Sequence, residues 1–221
     1  MQLDYYHNML TKHIDLVERR LIKGEIIPHD EKLFSIFEPH AEWIKKGKAN
    51  NKVEIGHNIL VATDQFEFIL THRVIQKQAD IKLPIPLADK LSSLYGEQSF
   101  SSISFDKNFG NKENKEFLQL FFETVVMPKK GKKNKTEQEE ESTKEFKKLR
   151  NKHSGIESNI NCLEHHSLNR CPDKGKRGFI KYTALGVLAY NLHNLGKILI
   201  TQHEKQLQKE QLRKERLRKA A

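Results

Sequence analysis

The sequence predicts a mixed α/β fold, a sheet flanked by helices, on three observations. Apolar residues recur at helical spacing in several separated segments, short alternating or β-branched runs lie between them, and glycine, proline or aspartate marks most of the changes. The first segment, Tyr5 to Gly24, sets Met9, Ile14, Leu16, Val17, Leu21 and Ile22 among Lys12, Asp15, Glu18 and Arg19. That mixture predicts an amphipathic helix closed by Gly24. Leu33 to Phe37 then reads as a short strand, followed by Glu38-Pro39 and a basic turn at Lys45-Lys46-Gly47-Lys48.

Val53 to Ala62 and Phe66 to Ile75 run apolar or alternating on either side of Thr63-Asp64-Gln65, the pattern of an antiparallel hairpin. Pro84 to Tyr95 has helical spacing, an N-terminal proline and a glycine just beyond, and Ile103 to Asp106 is a short strand ending on a carboxylate. Lys112 to Phe122 is helical, and Thr124 to Met127 is a compact β run stopped by Pro128. From 129 to 152 the composition turns to lysine and glutamate, read as a solvated insertion, a mobile loop leading into a helix. A helix restarts near Ser154, and Phe179 to Ile200 is the most apolar helical segment, expected to pack across the sheet. The organisation expected is therefore a helical segment at 1–27, an α/β core at 28–200 and a basic helical tail at 201–221.

Composition narrows the functional classes. Lys and Arg number 39 against 29 Asp and Glu, a formal charge of +10 over 221 residues, so polyanions are the favoured partners. No run approaches the length of apolar residues that a membrane span needs, and the start lacks the layout of a signal peptide. Two cysteines, Cys162 and Cys171, are too few for a disulfide framework, and a cytoplasmic location is expected. Neither a dinucleotide-binding glycine pattern nor a P-loop occurs.

Three groups of residues could carry chemistry. Asp106 at a strand end and Glu157 on a downstream helix suit magnesium, which takes carboxylate oxygens converging from distant positions; taken by itself, each reads more readily as a capping or surface acid. Cys162, His165, His166 and Cys171 are zinc-ligand types, but their spacing matches no common structural site, and a half-buried cysteine with helix-end histidines is the preferred reading. Lys45, Lys46 and Lys48 beside Trp43, and Lys129, Lys130, Lys132 and Lys133 after a strand, are basic clusters able to hold DNA phosphates or simply to keep the surface solvated. The tail carries seven basic residues against three glutamates over 202–221, which suits a phosphate backbone or a solvated helix.

Several blocks, in order, resemble the DDE transposases of bacterial insertion sequences, closest to the ISNCY-type group. They are Glu31 to His40 (EKLFSIFEPH), Trp43 to Ala49 (WIKKGKA), Val53 to Gly56 (VEIG), Ser104 to Phe109 (SFDKNF), Met127 to Gly131 (MPKKG) and Ile156 to His165 (IESNINCLEH). The resemblance spans Ile14 to Leu199. It implies an RNase H-like mixed sheet flanked by helices, in which two aspartates and a glutamate bind two Mg2+ (or Mn2+) ions for cutting and joining transposon ends. By that resemblance Asp106 is the second aspartate and Glu157 the glutamate. The family's first aspartate lies on an opening strand ahead of the segment that begins here at Tyr5, so the core is expected to lack its first strand and the chain to show little strand transfer alone. Asp64 could be offered in its place, but reads better as a hairpin-turn residue.

Related transposases carry a Y-x2-R-x3-E-x6-K signature around the glutamate. Here those offsets hold Arg150, His153 and Glu164, so only the glutamate is kept, with Arg150 and His153 left as phosphate contacts. Two functions follow from the resemblance and the charge: a transposase fragment acting on insertion-sequence ends and target DNA, or a catalytically inactive basic DNA-binding remnant. Self-association, or an upstream transposase half, is the protein partner expected, in the bacterial cytoplasm near the nucleoid.

Overall fold

Helices and short strands alternate along the chain in a computed structural model that describes residues 2–28, 30–45 and 53–220. Helix α1 (Gln2–Val17) passes into a π-helical turn at Glu18–Ile22, and Gly24 ends it at φ +69°, a conformation that glycine adopts without strain. Strands β1 (Glu42–Lys45) and β2 (Val53–Gly56) pair antiparallel, with Trp43 opposite Ile55. Strands β3 (Asn58–Thr63) and β4 (Ile69–Ile75) pair with each other. Then come α2 (Pro84–Tyr95), β5 (Ser102–Ser104), α3 (Lys112–Leu118), β6 (Thr124–Val126), α4 (Lys135–Ser142), α5 (Lys144–Leu163) and α6 (Gly175–Ala220).

Four expectations need correcting. Among the described residues the strands make three two-stranded sheets instead of one continuous sheet. Leu33 to Phe37 is a turn, because its aromatics find partners locally: Phe34 packs on Trp43 with ring centroids 5.6 Å apart, Phe37 on Tyr6 at 5.8 Å, and the Ser35 hydroxyl accepts the Glu38 amide hydrogen at 2.9 Å. The run Val53 to Ala62 is broken at His57, and its first half pairs back to β1, which occupies part of what read as a basic turn. The charged stretch 129–152 is helical over most of its length. The Asn134 side chain accepts the Glu137 amide hydrogen while the Glu137 carboxylate accepts that of Asn134, a reciprocal cap that starts α4, and Thr143 caps α5 ten residues earlier than the predicted restart.

The chain divides into two compact units. The first comprises Met1–Ile59, Val74–Lys77 and Pro172–Lys181. In it Arg19 is clamped by Glu25 at 2.8 Å and Glu31 at 2.7 Å, hydrogen bonds that push its guanidinium pKa above the ordinary value. His57 stacks on His40 with centroids 5.1 Å apart and meets Phe179 edge-on, and the Glu38 carboxylate accepts the Gly175 amide hydrogen at 3.0 Å.

The second unit comprises Leu60–Arg73, Gln78–Cys171 and Tyr182–Ala221. Leu87, Ala88 and Leu91 of α2 close over Phe105, Leu118, Phe122, Val125 and Met127, so β5 and β6 lie in the larger core cluster. A second cluster joins Ile69 of β4 to Leu163 of α5 and to Val187 and Tyr190 of α6. Burial there pushes the Tyr190 phenol up to about 12, with the charges of Glu67 and Cys162 adding to it. Asp64 is the hairpin-turn residue between β3 and β4: its carboxylate accepts the amide hydrogens of Phe66 at 2.8 Å and Phe68 at 2.9 Å. Among the described residues no helix is long and apolar enough to cross a membrane. The tail at 202–220 continues α6 without a break.

Candidate functional site

The β5-β6 pair is parallel, three residues on each side, with Ser104 opposite Val126. Parallel pairs are normally covered on both faces, and here Val126 is fully buried and Phe105 nearly so. Beyond Phe105 the chain turns outward. Asp106 is exposed, and one of its carboxylate oxygens accepts the Lys107 amide hydrogen at 2.7 Å, capping the 3-10 turn Lys107–Phe109. Asp106 therefore stands just past the carboxyl end of a strand of the core pair.

Helix α5 brings the second acid. Phe146, Asn159 and Leu163 are its buried residues, and His153 lies half-buried on the same helix. Glu157 is four residues after His153, one helical turn along the same face, and is exposed. Burial lowers the His153 pKa below the ordinary value, and that outweighs the opposite pull of Asp106, of the Ser104 backbone and of Glu157. His153 is thus the point where the charges of Asp106 and Glu157, far apart in sequence, are felt together. Its Nδ1 and the Ser104 Oγ are both buried without a hydrogen-bond partner among the described residues. Unpaired buried polar atoms cost free energy unless water or a ligand meets them, and both ring nitrogens of His57 are in the same position.

The two acids match the oxygen donors that Mg2+ prefers. Among the described residues no group of three or more His, Cys, Asp or Glu side chains is arranged to hold a metal ion. Asp106 and Glu157 supply carboxylate oxygens, the donor type that Mg2+ takes alongside waters and phosphate oxygens; the two-metal arrangement that the resemblance implies would need a further acid. Cys162 lies near α5's C-terminus, His165 and His166 sit in the π-helical turn Glu164–Leu168, and neither Cys162 nor Cys171 is in a disulfide.

The predicted phosphate-binding residues divide. Lys46 and Lys48 lie outside the described residues, and Lys45 ends β1. Lys129 is held by the Glu137 carboxylate at 2.7 Å, and Lys133 by Glu141 at 2.5 Å, so half of that four-lysine cluster is matched within the chain. The Lys129 contact, with the Asn134 backbone, lowers the Glu137 pKa. For Glu141 burial acts upward, but Lys133, the Lys129 amide and the nearby charge of Arg150 hold it below the usual range. Lys130 and Arg150 are exposed. Ser104 was not singled out from the sequence, since a serine in a short strand carries no signal until its neighbour across the sheet is known. No protein-family model, characterised protein or solved structure matches this chain.

Proposed function

We propose that this chain is part of a DDE transposase with an RNase H-like core, acting on DNA phosphodiesters with Mg2+ (or Mn2+). The observation that carries the reading is that Asp106, just past the end of β5, and Glu157, on α5, are exposed carboxylates whose charges both act on the half-buried His153. Support for the fold comes from the parallel β5-β6 pair against α5, preceded in the chain by the antiparallel β1-β2 pair and by β3-β4. Support for the substrate comes from the net charge of +10 and the exposed basic continuation of α6.

In this reading Asp106 and Glu157 would hold the metal ion, and a phosphate would be held through that ion because the carboxylates themselves repel it. The ion, when bound, polarises a phosphoryl oxygen and makes its attached water more acidic. His153, kept neutral near pH 7 by burial, leaves the two carboxylates uncompensated, whereas an imidazolium there would compete with the cation for them. Arg150, exposed and three residues before His153 on α5, would contact the flanking phosphate.

A second reading, a basic DNA-binding module without catalysis, is favoured by the tail, where seven basic residues face three glutamates on an exposed helix. Duplex binding followed by fluorescence anisotropy with and without Mg2+ separates the two. The transposase reading predicts that Mg2+ tightens binding and that Asp106→Asn or Glu157→Gln removes that increment while leaving the salt-sensitive part. Identical Mg2+ responses in the variants and the native chain would leave the basic-module reading standing alone.

A further inference from the structure

We propose that the outer face of α6 is an interface between two copies of this chain. Thr183, Val187 and Tyr190 bury one face of the helix. On the other, Leu185, Leu188, Leu192, Leu195 and Leu199 are between 43% and 63% exposed. Their spacing alternates three and four residues without a slip, which is the seam that a second α-helix fits by knobs-into-holes packing. The fourteen helical steps from Leu185 to Leu199 make that seam about 21 Å long.

Charge and area point to a second copy as the occupant. The chain carries +10, so two copies repel over most of their surfaces, yet between Lys181 and Glu204 the only Lys, Arg, Asp or Glu is Lys197. Positions flanking the seam are Ala189, Asn191, Gly196 and Ile198, uncharged and mostly small. A side chain at Gly196 would meet open space, so the residue leaves room for an approaching helix. Five half-exposed leucines from each copy, with their flanks, amount to on the order of 1,000 Å² of buried area, the lower edge of a specific interface. The same residues on both sides give a closed, isologous pair.

Helix α1 and the π-helical turn after it carry an apolar stripe of their own, including Leu3, Leu10, Ile14 and Leu21, but Lys12, Asp15, Glu18 and Arg19 interrupt its flanks. It is the rival occupant, and the test treats it as such. Sedimentation equilibrium of the full chain at rising concentration, in about 0.15 M and about 0.5 M salt, should give twice the 25.8 kDa chain mass. Added salt screens the like charges and should leave the pair intact or tighten it, opposite to its effect on DNA binding. The double variant Leu192→Glu, Leu195→Glu should sediment at the chain mass with an unchanged helical circular dichroism spectrum, and Leu188→Gln, Leu199→Gln should weaken the pair at least tenfold. Leu10→Glu, Ile14→Glu should still pair. A monomer at 100-micromolar concentration (about the top of the range in which a weak specific pair forms), a dimer that survives both seam variants, or a dimer lost with the α1 variant would overturn the proposal. None of these readouts uses DNA or metal, so the pairing stands or falls apart from the proposed function.

Discussion

Asn191 is the residue whose replacement tests the packing of α6 most sharply. Its side-chain amide pairs both backbone groups of one residue: Oδ1 accepts the Ile69 amide hydrogen at 2.8 Å, and Nδ2 donates to the Ile69 carbonyl oxygen at 2.9 Å. Ile69 lies in the core cluster with Leu163, Val187 and Tyr190, so water is poorly placed to replace the lost partners. Each hydrogen bond contributes about 1 kcal/mol net, and a buried backbone group left unpaired costs about 1–3 kcal/mol, so Asn191→Ala should destabilise by about 2–4 kcal/mol. Asn191→Asp keeps the acceptor but sets a carboxylate against the Ile69 carbonyl, and should fall in the same range. Asn194→Ala, which removes one exposed bond to the Phe66 carbonyl, should cost no more than about 1 kcal/mol. Urea unfolding monitored by circular dichroism, with hydrogen exchange at the Ile69 amide, reads all three. A loss under about 0.5 kcal/mol for Asn191→Ala, with the Ile69 amide still protected, would refute the pairing as a source of stability.

Other expectations concern space, pH and DNA. A Cβ at Gly186 would fall 2.7 Å from a Leu168 methyl, so Gly186→Val should cost about 1–3 kcal/mol in chemical denaturation, whereas Gly196→Ala, with nothing near, should gain up to about 1 kcal/mol. Burial holds His57, His72 and His153 below the ordinary histidine pKa. The unfolded chain therefore takes up protons that the folded chain resists, and stability should be intact above about pH 6.5 and decline as pH falls below it. The urea midpoint at pH 7.5 and pH 5 checks this, and His72→Gln should flatten the difference; a midpoint unchanged over that interval contradicts it. Removing residues 202–221 should lower the salt slope of DNA binding by up to about 6, whereas Lys129→Ala, already matched by Glu137, should change it by less than about 1.

Local signals were read correctly where one residue type settles the backbone. Gly24 closes α1, Gly96 follows α2 at φ +93°, and Asp64 folds the β3-β4 turn through its own carboxylate. The acids at 106 and 157 were legible as candidates because one follows a short strand and the other lies on a long helix. Pairing was not legible. Apolar runs do not state which strand they meet, so His57 dividing one run between two sheets, and Leu33 to Phe37 satisfying its aromatics without a ladder, emerged only in three dimensions. The helices at 135–163 carried a signal that composition masked: Asn134 with Glu137 three residues on is a capping pattern, hidden among lysines and glutamates that also suit a solvated loop. Asn191 looked like one more polar residue on an apolar helix, since its partner is 122 residues away.

The central claim is that Asp106 and Glu157 form one cation site at His153. Loss of the free Mn2+ electron paramagnetic resonance signal on titration into the full chain measures it most directly. The account predicts saturation at about one ion per chain, with Asp106→Asn and Glu157→Gln each weakening it about tenfold or more and His153→Gln retaining the ion with a different line shape. Mn2+ uptake that is absent, or that persists unchanged in both carboxylate variants, would contradict it.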